Sequence, residues 1–157
     1  MERSARLDTP VGPVTVTATE RAVTAVRFGV AGPAVGQAGD LPPVLRQAVE
    51  ELREYFAGER REFTLPLAPA GTPFQQQVWA ALREIPYGAT CSYGRIAERI
   101  GRPKACRAVG MANNRNPIAI VVPCHRVVGA SGALVGYAAG LEVKEMLLRL
   151  EAETLAK

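Results

Sequence analysis

The chain has 157 residues, 48% of them apolar and 22% charged, with a formal net charge of +4 at neutral pH. That is enough for one or two small domains with an ordinary core, and the balance excludes a disordered chain. No apolar run reaches membrane-spanning length and no basic-then-apolar leader opens the sequence, so no membrane partner and a cytoplasmic location are expected.

Residues 6–28 predict a β meander. Gly12-Pro13 marks a turn, Val14-Thr15-Val16-Thr17 alternates with period two, and Val26 and Phe28 continue the alternation in the next strand. Residues 29–40, rich in Gly, Ala and Pro, predict a loop. Their glycines are not a dinucleotide fingerprint, because no helix follows at the required spacing. Over 44–57, Leu45, Val49, Leu52 and Phe56 fall at helical intervals, and Gly58 supplies the stop. Phe63 and Leu65 alternate with polar neighbours and predict one more strand, followed by a linker over 66–71. No catalytic constellation appears in this half.

Thr72-Pro73-Phe74-Gln75 has the form of a capping box with proline at the first helical position. Phe74, Val78 and Leu82 line one face of that helix, and Pro86-Tyr87-Gly88 ends it. Ser92 can cap a second helix carrying Tyr93, Ile96, Ala97 and Ile100. Gly101-Arg102-Pro103 is a turn, and a third helix runs from Lys104 to about Asn113, completing a helix-turn-helix pattern. Ala105, Cys106, Ala108, Gly110 and Ala112 make this third helix narrow, and only Arg107 is long and central. A helix that reads bases in the major groove would carry several Arg, Asn or Gln. Small residues let a backbone approach DNA closely without reading sequence; they also let helices pack closely, and the residues alone leave both open. A last helix over 141–152 puts Val143, Leu147 and Leu150 on the core face and pairs Glu145 with Arg149 at i,i+4.

Between the third and last helices lies the most informative stretch. Five apolar residues, 118–122, predict a short buried strand, and Pro123 ends it because proline cannot donate to a ladder. The turn then presents Cys124 and the only histidine, His125. A thiol at the rim of a rigid element suits nucleophilic chemistry. An unpaired cysteine also serves as a small buried hydrophobe, and adjacent side chains need not touch. Charge is uneven: residues 1–70 hold eight Lys/Arg and nine Asp/Glu, residues 71–157 eleven and six. Within 95–126, Arg95, Arg99, Arg102, Lys104, Arg107, Arg115 and Arg126 face one acid, Glu98. Such a cluster suits a polyanion or a solvated surface. Cys91, Cys106 and Cys124 make no disulfide framework, and one histidine without paired cysteines argues against a structural zinc; neither metal nor cofactor is expected.

Asn113-Asn114-Arg115-Asn116-Pro117 leads into the apolar run, and Pro123-Cys124-His125-Arg126-Val127-Val128-Gly129 leaves it. Together they resemble the active-site signature of the O6-alkylguanine-DNA alkyltransferases, the methylated-DNA–protein-cysteine methyltransferases. The similarity extends from about Thr72 to Glu151 and is looser over the first seventy residues. It implies an α/β (α+β) chain: an N-terminal α/β buttressing domain, 1–68, and a C-terminal helix-turn-helix, winged-helix-like domain, 69–157, carrying the cysteine. Some relatives hold zinc in the N-terminal domain, but residues 1–70 here contain no Cys or His.

The resemblance also implies a mechanism. An alkyl group leaves O6-alkylguanine, or alternatively O4-alkylthymine, in double-stranded DNA and passes to Cys124 after the nucleotide is flipped out. Glu151 orients His125, which draws the thiol proton through a water. Asn116 fixes the turn, and Tyr93 turns the phosphate and donates to the departing guanine. Arg107 fills the gap left in the stack. Lys104, Ala105, Ala108, Gly110 and Asn114 share its minor-groove, sequence-tolerant face. Tyr137, Ala138, Val127 and Pro123 form the alkylguanine pocket, with backbone carbonyls near Cys124 and Val127 receiving the exocyclic amine. Ala138 and Ala139 depart from the commoner Ser or Gly, and Asn113 from an apolar residue in some relatives, which bears on substrate size. A thioether has no easy leaving group, so Cys124 is spent in one turnover. The chain is expected to act as a monomer, with cooperative loading on DNA left open.

Three other readings compete. A lesion-flagging module of this fold would lack Cys124, and a sequence-specific regulator would need a third helix richer in base-reading side chains. A thiol hydrolase would turn over repeatedly.

Overall fold

The computed structural model describes residues 2–30, 41–134, 136, 137 and 139–157. The chain divides into two compact units, one of Met1–Ala70 with Pro117–Ala119, the other of Gly71–Asn116 with Ile120–Lys157. The expected boundary at 68/69 is therefore shifted by two residues, and three residues shortly before Cys124 belong with the N-terminal part.

The first unit is an antiparallel sheet in the order β1 (Arg3–Thr9), β2 (Gly12–Ala18), β3 (Val23–Phe28). Val14 to Ala18 are all buried on the central β2, so its hydroxyls need partners. Ser4 and Thr17 share a hydrogen bond of 2.7 Å, and Thr15 Oγ1 donates to Gly29 O at 2.7 Å. Helix α1 (Pro43–Phe56) buries Leu45, Ala48, Val49, Leu52 and Tyr55; Phe56 stands edge-on to Tyr55 instead of joining that stripe. The strand expected around Phe63 and Leu65 does not form. Thr64 N donates instead to the buried Glu51 carboxylate at 2.8 Å, and sheet pairing is reduced to one bridge, Val23 to Leu67. The expected loop over 29–40 falls largely on residues 31–40, outside the described residues.

The second unit is mostly helical. Helix α2 (Pro73–Leu82) starts in the full capping box, Thr72 accepting from Gln75 N and Gln75 answering to Thr72 N. It ends at Leu82, four residues before Pro86, because the following N–H groups of Glu84 and Ile85 turn to i−3 carbonyls. β4 (Cys91–Ser92) leads into α3 (Tyr93–Arg99), capped by Ser92 Oγ. Helix α4 (Cys106–Asn114) starts two residues later than expected, leaving Lys104 and Ala105 ahead of it. Trp79 locks α2 to α4 by donating to Ala112 O at 2.9 Å. β5 (Val127–Val128) pairs in parallel with β4.

The apolar run 118–122 is not a strand. Ile118 makes a single bridge to Val26 and the chain then turns, with Ile120 at φ 72°. A positive φ is strained for a β-branched residue, and it carries the chain between the two units. All five residues are buried, as the run suggests.

Helix α5 (Leu141–Leu155) runs three residues further than expected, and its buried stripe is Lys144, Leu147, Glu151 and Thr154. Of the expected core stripe only Leu147 is fully buried; Val143 and Leu150 are half-buried. The real stripe has helical spacing but is polar at three of four positions, which apolar periodicity does not detect.

Candidate active site

Pro123, at φ −80° and ψ 62°, forms an inverse γ-turn closed by Cys124 N donating to Val122 O at 2.8 Å. Cys124, His125 and Arg126 then make a single 3-10 turn, all three buried. Asn116 Nδ2 donates to the same Val122 oxygen at 2.8 Å, so that carbonyl holds the turn from two sides. Asn113, also buried, donates to Cys124 O at 3.4 Å.

Helix α5 supplies the floor. His125, fully buried, lies 2.6 Å from Glu151 through Nε2. Glu151 also accepts Arg126 Nε at 2.8 Å, Arg126 Nη2 at 3.0 Å and Gly88 N at 3.0 Å. Lys144, one helical heptad earlier, is fully buried and donates to Val127 O, with Gly136 O at 3.4 Å. Gly88 sits at φ 80°, and a Cβ there would lie 2.0 Å from Leu155 Cδ1, so both conformation and space favour glycine.

Burial pushes the Cys124 thiol above its ordinary value, against hydrogen bonds from Asn116 and Tyr137 and the charge of Lys144. Burial pushes His125 down, against the hydrogen bond and charge of Glu151. Burial alone would raise Glu151, but the His125 and Arg126 contacts outweigh it and hold the carboxyl at about 2. The resting site therefore contains a thiol, a neutral imidazole and a carboxylate. With Nε2–H given to Glu151, Nδ1 of His125 is the basic nitrogen, and it has no hydrogen-bond partner among the described residues. This arrangement can take a proton from a nearby thiol and hold the resulting imidazolium against an anion.

Tyr137 brings its hydroxyl to 4.0 Å from Cys124 Sγ, and burial keeps that phenol protonated. Tyr93, half-buried at the start of α3, is also pushed up by burial, and its hydroxyl would lie 3.8 Å from a Cβ on Gly136, beside Asn114. Val127 and Pro123 are buried on either side of the 3-10 turn. The carbonyls expected to receive an exocyclic amine already accept protein donors, Cys124 O from Val127 N and Asn113, Val127 O from Lys144. Val127 O keeps a lone pair for a second donor, whereas both lone pairs of Cys124 O are already engaged. Ala138 lies outside the described residues.

On α4, Arg107, Ala108 and Asn114 are exposed, with Lys104 exposed ahead of the helix. Ala105 and Gly110 are half-buried, Gly110 against the Tyr93 ring. Six of the seven basic residues in 95–126 are exposed, but Arg126 is only 6% exposed and joins the buried cluster around Glu151, not a surface cluster. Sequence reasoning missed Arg126, Lys144 and Gly88 as site residues. The seven-residue spacing of Lys144 and Glu151, around Leu147, is the signal that could have shown both on one helix face.

The family described as 6-O-methylguanine DNA methyltransferase matches twice, its ribonuclease-like domain over residues 3–69 and its DNA binding domain over residues 73–153. The methylated-DNA–protein-cysteine methyltransferase of Methanosarcina acetivorans is 52% identical over 148 residues, covering 92% of this chain and 94% of the relative. The chain belongs to the methylated-DNA–protein-cysteine methyltransferase family. A second methyltransferase, from Mycobacterium leprae, is 50% identical over 147 residues, covering 92% of this chain and 89% of that one. Mycobacterium tuberculosis OGT in complex with DNA superposes with a TM-score of 0.87 at 46% identity, covering 97% of this methyltransferase chain and 94% of the other. Among the described residues no group of His, Cys, Asp or Glu is arranged to hold a metal ion, and no helix is long and apolar enough to cross a membrane.

Proposed function

We propose that this methyltransferase repairs DNA directly, moving a methyl or other alkyl group from guanine O6 to its own Cys124. The observation that carries the reading is the 2.6 Å contact of His125 with Glu151, next to a cysteine on a fixed turn, in a chain of this family.

The thiol proton passes to Nδ1 of His125, by way of a water in the mechanism the family resemblance implies, and Glu151 holds the imidazolium. The thiolate attacks the alkyl carbon. An S–C bond forms, the C–O6 bond breaks, and its electron pair leaves with guanine. A phenol that stays protonated is the suitable donor to that developing charge, and Tyr93 is assigned this role. Tyr137 walls the pocket, and its hydroxyl also faces the sulfur. Asn116 fixes the turn through Val122 O.

A cysteine only 5% exposed cannot bring its sulfur to O6 inside a stacked duplex, so the damaged nucleotide must be extruded. The exposed, narrow face of α4 is assigned to the minor groove, with Arg107 entering the stack. Lys104, Ala108 and Asn114 lie beside it, and contact is mostly to backbone and tolerant of sequence.

Intact mass after incubation with a duplex containing O6-methylguanine tests the reading. One methyl per chain, mapped to Cys124 and never released, is the expected result. Repeated turnover, or no transfer by a folded wild-type chain, would overturn it.

A further inference from the structure

We infer that Arg126 is a positioning residue for alkyl transfer: it fixes Glu151 as an anion in one orientation and thereby keeps His125 free to accept the thiol proton. This deepens the proposed function and rests on it.

Around Glu151, Oε1 accepts Arg126 Nε and Gly88 N, and Oε2 accepts His125 Nε2 and Arg126 Nη2, at 2.6 to 3.0 Å. A carboxylate has about four such acceptor sites, so no room is left for the group to rotate. Arg126 is itself held. Its Nη1 donates to Ile85 O at 2.8 Å, and its guanidinium carbon lies 5.5 Å from the centre of the Tyr87 ring. A guanidinium engaged on every edge, on a residue only 6% exposed, is not presented to a phosphate.

The consequence is electrostatic. With His125 neutral, Arg126 and Glu151 form a buried pair of no net charge. Remove the guanidinium, and a buried carboxylate faces His125 alone. It would be relieved by protonating the imidazole at rest, and a histidine already protonated cannot take the proton from Cys124. The charged and titratable groups around His125 all act in this account. Glu151 and Lys144 face it from α5, and Cys124 and Arg126 flank it on its own turn; α2, which also packs there, carries no ionisable side chain. Arg126 and Lys144 both oppose a second positive charge, and Glu151 favours it.

His125 is the only histidine, so its imidazole nitrogens give one unambiguous pair of NMR signals. The test titrates them in wild type, Arg126→Gln and Arg126→Lys, and measures Cys124 alkylation by free O6-benzylguanine from pH 5 to 9 on the same samples. Free base removes DNA binding from the rate. Wild type should show a neutral ring protonated on Nε2 at pH 7. Arg126→Gln should raise the His125 titration midpoint, move the acid limb of the pH–rate profile up with it, and lower the rate at pH 7 by about tenfold. Arg126→Lys should recover part of both shifts. The salt dependence of duplex binding should be unchanged, whereas loss of a phosphate contact would reduce its slope by about one.

The inference is overturned by a folded Arg126→Gln whose histidine titrates as in wild type. Should that variant not fold, an imidazolium already present in wild type at pH 7 overturns it equally. A wild type that takes no methyl group from an O6-methylguanine duplex defeats the proposed function instead, and the histidine titration still reports on Arg126.

Discussion

Glu151 accepts from two side chains and one backbone group, so replacing it damages both chemistry and stability. Glu151→Gln keeps the volume but removes the charge that holds imidazolium, and its amide must turn a donor toward His125 or Arg126. Alkyl transfer should slow by more than about tenfold, the usual worth of a general-base contribution being larger, with duplex affinity nearly unchanged; single-turnover kinetics and a binding titration separate the two. The same residue makes stability depend on pH in a defined direction. The folded carboxyl titrates at about 2, below its ordinary 4.5. The unfolded chain therefore binds a proton first as pH falls, and the stabilisation present above 4.5 is lost on the way to 2. His125 adds a loss of the same sign that begins nearer its ordinary 6.5, because its folded value is also depressed. Thermal melts should fall in two stages below pH 6.5, and Glu151→Gln should remove the lower stage. A melting temperature flat from pH 6.5 to 3 would show that neither group is held as described.

The elements divide the work between rigidity and access. Helix α4 packs Val109, Ala112 and Asn113 inward and leaves Arg107, Ala108, Met111 and Asn114 outward. If its outer face meets the duplex, Arg107→Ala should slow repair of O6-methylguanine in a duplex far more than reaction with free O6-benzylguanine, which needs no extrusion. Equal losses on both substrates would take Arg107 out of the flipping step. Gly110 tests the inner side. It lies at an ordinary helical position, and a Cβ would meet the Tyr93 ring at 3.9 Å, a normal contact. Gly110→Ala should stabilise the chain by about 0.5–1 kcal/mol through helix propensity alone and leave reaction with free base unchanged, as read by denaturant unfolding and by rate. Gly88 is the contrasting case. Leu155 can swing away from an added methyl, so the cost of Gly88→Ala comes mainly from the positive φ, about 1–2 kcal/mol.

At the scale of the molecule, what the sequence disclosed follows from which physical signals are periodic. The three strands, the capped start of α2 and the helix-turn-helix were legible because alternation, capping chemistry and turn residues are local. The apolar run 118–122 carried the right burial and the wrong conformation: its backbone groups pair with Val26, Asn116 and Cys124 in place of a ladder, and no pattern of side chains announces that. Likewise Phe63 and Leu65 alternate, but Glu51 takes the N–H between them. Cys124 and His125 were visible as neighbours and through family resemblance. Arg126 and Lys144 were not, because a charged residue read singly defaults to the surface, and only their convergence on Glu151, Val127 and Gly136 shows otherwise.

The three cysteines turn that distinction between exposure and activation into a measurement. Cys106 is exposed at the start of α4, Cys91 is half-buried, and Cys124 is buried. A bulky aromatic disulfide needs only access and thiolate, so it should consume Cys106 first and Cys124 last, the more slowly because burial keeps the Cys124 thiol protonated. An O6-alkylguanine substrate needs an oriented base and a pocket, so it should reverse the order and mark Cys124 alone. Cys106→Ser should abolish the fast disulfide phase and retain alkyl transfer, and Cys124→Ala should do the opposite while keeping affinity for lesion-bearing duplex. Peptide mapping after each reagent reads the outcome directly. Alkyl found on Cys106, or a Cys124 that reacts with the disulfide as fast as Cys106 does, would mean that the buried relay of Glu151 and His125 is not what makes this sulfur a nucleophile.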